Sequence, residues 1–209
     1  MLHQLYLAYL PACGAKTKWQ RLALFEMRDN TGEVSLRYNL RNRYSGECMK
    51  PLVAYYSLTG KTKLVSQVIA EALNALLLEI KERRPIPIPF VYLTGGFAAI
   101  TNRGSKINPI DVDLKQHERI FIGSPTWGSR PAPAINSFIY QTNFEGRSII
   151  PFFTMGGDNS EKALANITAK IERSQGKVAG SFAITSYGVS DEEIIARAKE
   201  AIRNYRGVE

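Results

Sequence analysis

From Pro51 onward, short uninterrupted apolar runs alternate with stretches whose apolar residues recur every three or four positions. Leu52-Val-Ala-Tyr-Tyr56 lacks polar alternation, which predicts a strand buried on both faces. After it, Leu64, Val65, Val68, Ile69, Ala72, Leu73 and Leu76 carry the spacing of a helix with one apolar face. Residues 77–80 predict the next strand, Pro85, Pro87 and Pro89 interrupt regular structure, and residues 95–100 predict the start of a short helix. The pattern then repeats. Residues 119–122 form a buried-type strand running into Gly123-Ser-Pro-Thr-Trp-Gly-Ser129, and Ile135, Phe138 and Ile139 mark a helix after Pro131 and Pro133. Residues 148–153 lead into Thr154-Met-Gly-Gly-Asp158 and a helix with Ala163, Leu164, Ile167 and Ile171 on one face, stopping near Gly176. Residues 178–184 give the last strand. Ser190-Asp-Glu-Glu193 is a capping box for a final helix whose Ile194, Ile195, Ala198, Ala201 and Ile202 face inward. Strands without polar alternation need helices on both sides, so these units predict an α/β fold with a doubly wound, open parallel sheet.

The pattern changes before Met49. Residues 22–27 and 34–40 flank a turn-rich Arg28-Asp-Asn-Thr-Gly-Glu33, and Val34, Leu36, Tyr38 and Leu40 alternate, so residues 1–48 are expected to be an N-terminal extension built on a β-hairpin. Met1 to Cys13 is mildly apolar and ends in Leu-Pro-Ala-Cys, but only His3 stands where an export signal carries basic residues. A cytoplasmic chain with reduced thiols is the expectation. Cys13 and Cys48 cannot supply the four thiolates of an iron–sulfur cluster, and with His3 they are too scattered to predict a metal site. The 209 residues, 44% hydrophobic and 22% charged, suit one domain with an appendage, and no apolar run is long enough for a membrane span. Asn166-Ile-Thr168 matches a glycosylation acceptor but falls within a predicted helix.

In an open parallel sheet, ligands bind beyond the carboxyl ends of the strands. Three predicted loops share that edge: Ser57-Leu58-Thr59-Gly60-Lys61-Thr62, the stretch from Ser124 through Pro125, Thr126, Trp127, Gly128 and Ser129 to Arg130, and Thr154-Met155-Gly156-Gly157-Asp158. Each combines glycine with hydroxyl side chains, which lets main-chain amides approach a ligand. The first loop opens a helix, so it reads either as a phosphate site or as a plain turn and cap. Gly60-Lys61-Thr62 matches the end of the nucleotide-triphosphate loop, but that motif needs a glycine at position 55, which is Tyr. Trp127 suits stacking on a flat ring, or packing of its loop onto the body. The third loop offers amides to a ring's polar edge, or a helix start capped by Asp158 or Asn159.

Taken in order, the three loops resemble those of the flavodoxin family. Met49-Lys-Pro-Leu-Val-Ala-Tyr-Tyr-Ser-Leu-Thr-Gly-Lys-Thr62 is similar to its opening strand and phosphate loop, with Lys61 where Asn is frequent. Ile122-Gly-Ser-Pro-Thr-Trp-Gly128 with Arg130-Pro-Ala-Pro133 is similar to its tryptophan-bearing flavin loop, and Phe152-Phe-Thr-Met-Gly-Gly157 to its third loop. The resemblance spans residues 49–205. It implies a five-stranded sheet of order 2-1-3-4-5 and non-covalent FMN, with its phosphate on residues 57–62. Residues 125–129 and 154–158 would then border the isoalloxazine. Many flavodoxins carry an aromatic residue in the third loop, where this chain has Met155 and two glycines, so one flavin face is expected to be open.

Charge departs from that family, whose members are usually acidic. Residues 1–48 hold seven basic and four acidic side chains and residues 49–209 hold 20 and 15, for a total of +8. Positive potential favours anionic reduced flavin and implies redox partner proteins with acidic docking surfaces, their association weakened by salt. No recognition motif or dense Lys/Arg stripe points to nucleic acid. The resemblance thus implies an FMN-binding electron carrier. An NAD(P)H-dependent quinone or FMN reductase of the same fold is the alternative, and a flavin-free binding module the third reading. A homodimer formed through the extension is a further expectation.

Overall fold

The computed structural model describes residues 5–11, 19–28, 34–37, 49–84, 104–157, 160–203 and 205. The chain divides into two compact units, Met1–Cys48 and Met49–Glu209.

In the first unit, β1 (Leu5–Pro11), β2 (Trp19–Arg28) and β3 (Val34–Arg37) form an antiparallel sheet in that order. The expected hairpin is its second half, with Arg28 opposite Val34 and Phe25 opposite Arg37. What the sequence reading missed is β1, which pairs with β2 from Leu5 opposite Phe25 to Pro11 opposite Trp19. A near-continuous apolar run such as Leu5-Tyr-Leu-Ala-Tyr-Leu10 has no period from which to read a strand. The extension is therefore a three-stranded sheet rather than a lone hairpin.

The second unit is the doubly wound sheet. Its main strands are β4 (Leu52–Tyr55), β5 (Leu76–Glu79), β6 (Arg119–Trp127), β8 (Ser148–Met155) and β10 (Phe182–Thr185), all parallel and ordered β10-β8-β6-β4-β5. Counted along the chain this is order 2-1-3-4-5. Two short strands attach: β7 (Arg130–Pro131) antiparallel to β6, and β9 (Lys177–Val178) parallel to β8. The helices are α1 (Lys61–Leu73), α2 (Pro133–Gln141), α3 (Ser160–Arg173) and α4 (Asp191–Arg203). Successive strand residues face opposite layers. Leu52, Ala54, Ile120, Ile122, Ile149 and Phe153 pack with the inner faces of α2 and α3. Val53, Phe121, Ile150, Phe152 and Ile184 pack with Val65, Ile69, Ile194, Ala198 and Ile202 of α1 and α4. Burial on both faces is why β4, β6 and β8 read as unbroken apolar runs, whereas the edge strand β5 leaves Leu76 and Leu77 exposed.

Several boundaries differ from the sequence reading. Leu76, read as part of the α1 stripe, instead opens β5, because α1 ends at Leu73 with Asn74 in the left-handed conformation. The single strand predicted over residues 178–184 is split into β9 and β10 around Gly180, whose φ of 152° lies in the region open to glycine and where the Tyr205 hydroxyl would sit 2.7 Å from a Cβ. Strand β6 runs five residues further than predicted, through Trp127. The helix predicted over residues 95–100 lies outside the described residues. Among the described residues, no helix is long and apolar enough to cross a membrane.

Gly123 marks the centre of the sheet. It stands between Tyr55 of β4 and Phe152 of β8, and a Cβ there would come within 2.3 Å of the Phe152 ring. That ring lies across the β6 backbone and stacks on Phe182 at 5.3 Å and 7°. Gly123→Ala is expected to lower stability by about 1–3 kcal/mol through overpacking, read as a fall in the denaturant midpoint without a change in slope.

Between α2 and α3, Lys170 is only 3% exposed and donates to Asn136 Oδ1. Burial first, then the nearby Arg130 and Arg173, lowers its pKa from 10.5 to about 8. The folded state therefore loses this proton before the unfolded state does. The stability contribution is fully present above 10.5 and is lost as pH falls through 8. Between pH 8 and 10 the thermal midpoint of the wild type should rise relative to that of Lys170→Met, in which this component is absent. Parallel profiles for the two proteins would contradict the assignment.

Candidate functional site

The parallel register brings the carboxyl ends of β4, β6, β8 and β10 to one edge. At the first of these, α1 begins with almost none of its free amides satisfied. Gly60 is its N-cap residue in the left-handed conformation, φ 88°, with no atom within 4 Å of the position a Cβ would take. Ser57 Oγ accepts from the Gly60 amide at 3.1 Å, which folds the loop back on itself. Among the described residues, no acceptor meets the amides of Lys61, Thr62 or Lys63, and the first turn holds no acidic side chain. A helix start left in this state carries unsatisfied donors and the positive end of the dipole. Of the two readings left open by the sequence, the turn is present in the Ser57–Gly60 bond, and Gly60 supplies no side-chain cap.

Thr62 ties this loop to the third. Its hydroxyl lies 2.7 Å from Thr154 Oγ1, both side chains being buried. Lys61, expected to face a phosphate, instead reaches Asp191 Oδ1 at 2.7 Å, at the start of α4. Both partners of that pair are substantially exposed, so its contribution to stability is small.

The second loop is a β-ribbon rather than an irregular loop. Strand β6 continues through Thr126 and Trp127, turns at Gly128 and Ser129, both with positive φ (55° and 60°), and returns as β7 with Arg130 opposite Trp127. Two left-handed residues in a two-residue connection match the twist of paired strands. The buried Ser124 fixes the exit: its Oγ accepts from the Ala132 amide at 2.9 Å and donates to the Pro125 carbonyl at 2.9 Å. The Trp127 indole meets the Tyr56 ring edge-on, centroids 6.1 Å apart, so the first and second loops are adjacent. Trp127 and Leu58 also rest on the α2/α3 core, as the packing reading of the indole expects. Thr126 Oγ1 is buried and has no hydrogen-bond partner among the described residues. Burial, then the Glu82 carboxylate that its hydroxyl approaches at 3.5 Å, raises the Tyr56 pKa well above the ordinary tyrosine value.

The third loop leaves the sheet at the buried Met155, and Gly156 and Gly157 are exposed. Asp158 lies outside the described residues. A fourth loop, which the sequence reading did not single out, adjoins it. Ser186 donates to the Met155 carbonyl through its amide at 2.8 Å and its hydroxyl at 3.3 Å, and Tyr187 lies against Gly156. Its sequence, Thr185-Ser-Tyr-Gly-Val-Ser190, has the mixture of glycine and hydroxyl residues that marked the other three, with an aromatic residue as in the second. That shared composition was the signal available.

The residues predicted from three loops thus fall on one edge. Thr62 joins Thr154, Trp127 joins Tyr56, and Met155 joins the fourth loop. The edge offers amides and hydroxyls for a phosphate ester, and an indole for a flat ring. Among the described residues, no cluster of His, Cys, Asp or Glu could hold a metal ion.

Residues 99–188 match the flavodoxin family model, a span that includes the second and third loops and the fourth as far as Gly188. No curated protein matches the sequence. Among solved structures, a candidate flavoprotein from Bacteroides uniformis aligns with a TM-score of 0.58 at 23% identity, over 72% of this chain and 97% of that one. A flavoprotein from Lactobacillus acidophilus, solved in complex with FMN, aligns at 0.57 and 22% over 72% and 98%. A candidate flavoprotein from Bacteroides eggerthii aligns at 0.57 and 19% over 77% and 99%. The flavodoxin-like fold read from the sequence holds.

The orphaned Thr126 hydroxyl gives a direct test of whether this edge is built for a ligand. A buried hydroxyl without a partner costs stability in the empty protein, and an isosteric methyl relieves that cost. Thr126→Val should leave the ligand-free thermal midpoint unchanged or raise stability by about 1 kcal/mol, while weakening ligand binding. A clear loss of ligand-free stability would show that the hydroxyl is already satisfied.

Proposed function

We propose that this flavodoxin-like chain binds FMN non-covalently at the edge described above and serves as an electron carrier. The observation that carries the reading is the bare start of α1, with three successive amides lacking acceptors, beside an edge that also bears an indole. Ser57, Thr59 and the amides of residues 60–63 would hold the phosphate, with Thr62 braced by Thr154. Thr126, Trp127 and Gly128 would border one side of the ring, and Met155, Gly156 and Gly157 another. Bound FMN supplies one- and two-electron redox chemistry, and the protein controls its access and potential. Leu58 and Trp127 keep the ribbon seated on the core, so the ring's surroundings would be fixed rather than loop-borne. The overall positive charge supports acidic redox partners, and reduced thiols suit a cytoplasmic setting.

The bareness of the third loop favours keeping the reductase reading beside the carrier. Among the described residues, no atom lies within 4 Å of a Cβ built at Gly157, which would suit the approach of a small substrate. Rapid NAD(P)H oxidation with a quinone acceptor would select that reading, whereas a carrier needs a separate reductase.

The binding claim is tested by titrating the purified protein with FMN and with riboflavin. FMN should bind about tenfold or more tightly than riboflavin, because the phosphate engages charge-assisted hydrogen bonds at a helix start. A colourless protein after incubation with FMN, or equal affinity for the two flavins, would remove the phosphate assignment.

A further inference from the structure

Tyr187 is the most exposed large hydrophobic side chain among the described residues, at 81%, and it stands at the carboxyl edge of the sheet. Its position is held from behind. Thr185 is in register with Met155, and Ser186 binds the Met155 carbonyl through both its amide and its hydroxyl. Gly188, with a φ of 72°, turns the chain immediately after it. A Cβ built on Gly156 would lie 3.5 Å from the Tyr187 Cβ, so the aromatic residue rises directly beside the glycine pair of the third loop. The two features fit each other. The third loop carries no ring, and no described residue fills the space at Gly157, while the fourth loop places an exposed ring beside Gly156.

We propose that Tyr187 is the second aromatic contact of the bound flavin ring, supplied by the fourth loop in place of the third. This rests on the FMN reading above. A ring offered to solvent on a braced turn is costly to leave unpaired in water and gains by stacking on a flat aromatic ligand. Met155 is buried at the strand end, whereas Tyr187 is exposed. Because the contact is to the ring system, it is indifferent to the phosphate at the α1 end.

The experiment compares the wild type with Tyr187→Ala, Tyr187→Leu and Tyr187→Phe. Each is titrated with FMN and with riboflavin, following flavin absorption and emission, with circular dichroism confirming the fold. The alanine and leucine variants should bind both flavins about fivefold more weakly, by the same factor for each, with brighter bound-flavin emission. The phenylalanine variant should stay close to the wild type. Folded alanine and leucine variants with affinities within about twofold of the wild type and unchanged emission would overturn the proposal while leaving FMN binding in place. So would a loss confined to FMN, because that would place Tyr187 at the phosphate. A wild type that binds neither flavin overturns this proposal and the FMN reading together.

Discussion

The whole arrangement depends on parallel register. Tyr55, Gly123, Phe152 and Phe182 occupy one row across β4, β6, β8 and β10. From that row the four chains leave the sheet in the same direction, so segments separated by up to about 130 residues of sequence converge. Gly123 is where this register is tightest, because a Phe152 ring occupies the space that any side chain on β6 would claim. The cost is borne by one glycine. The gain is an aromatic stack that runs from β8 to β10 and continues to Tyr205, 5.9 Å from Phe182.

Most of the doubly wound unit was legible because its physics is local. Two-sided burial strips polar residues from strands, and one-sided burial imposes a helical period, so Leu52–Tyr55 and Asp191–Arg203 emerge from pattern alone. The capping box at Ser190 is visible in the structure as a bond from the Glu193 amide to the Ser190 hydroxyl at 3.3 Å. What pattern could not show was long-range. Nothing local marks residues 123–127 as strand, since Gly-Ser-Pro-Thr-Trp is turn-like in composition and becomes extended through its pairing with β8 and β7. Strand β1 was hidden for a different reason, because an apolar run without a period fits a strand, a helix segment or a leader equally well.

The site followed the same division. Loop composition identified three of the four segments at the edge, and resemblance supplied their roles. Composition does not reveal pairing, however. That Lys61 would turn toward Asp191, and Ser186 toward Met155, depends on α4 starting beside α1 and on β10 lying beside β8. The fourth loop went unnoticed because it follows the last strand, where a helix cap already accounted for its serine.

The Lys61–Asp191 pair has one more effect on this edge. The Lys61 ammonium, on the first residue of α1, already pairs with a carboxylate 2.7 Å away. An anion at α1 would compete with Asp191 for this lysine, and any contact it gained there would be an exchange of partners. The helices themselves are held by Val65, Ile69, Ile194 and Ala198 beneath the pair, so such an exchange would leave their packing in place.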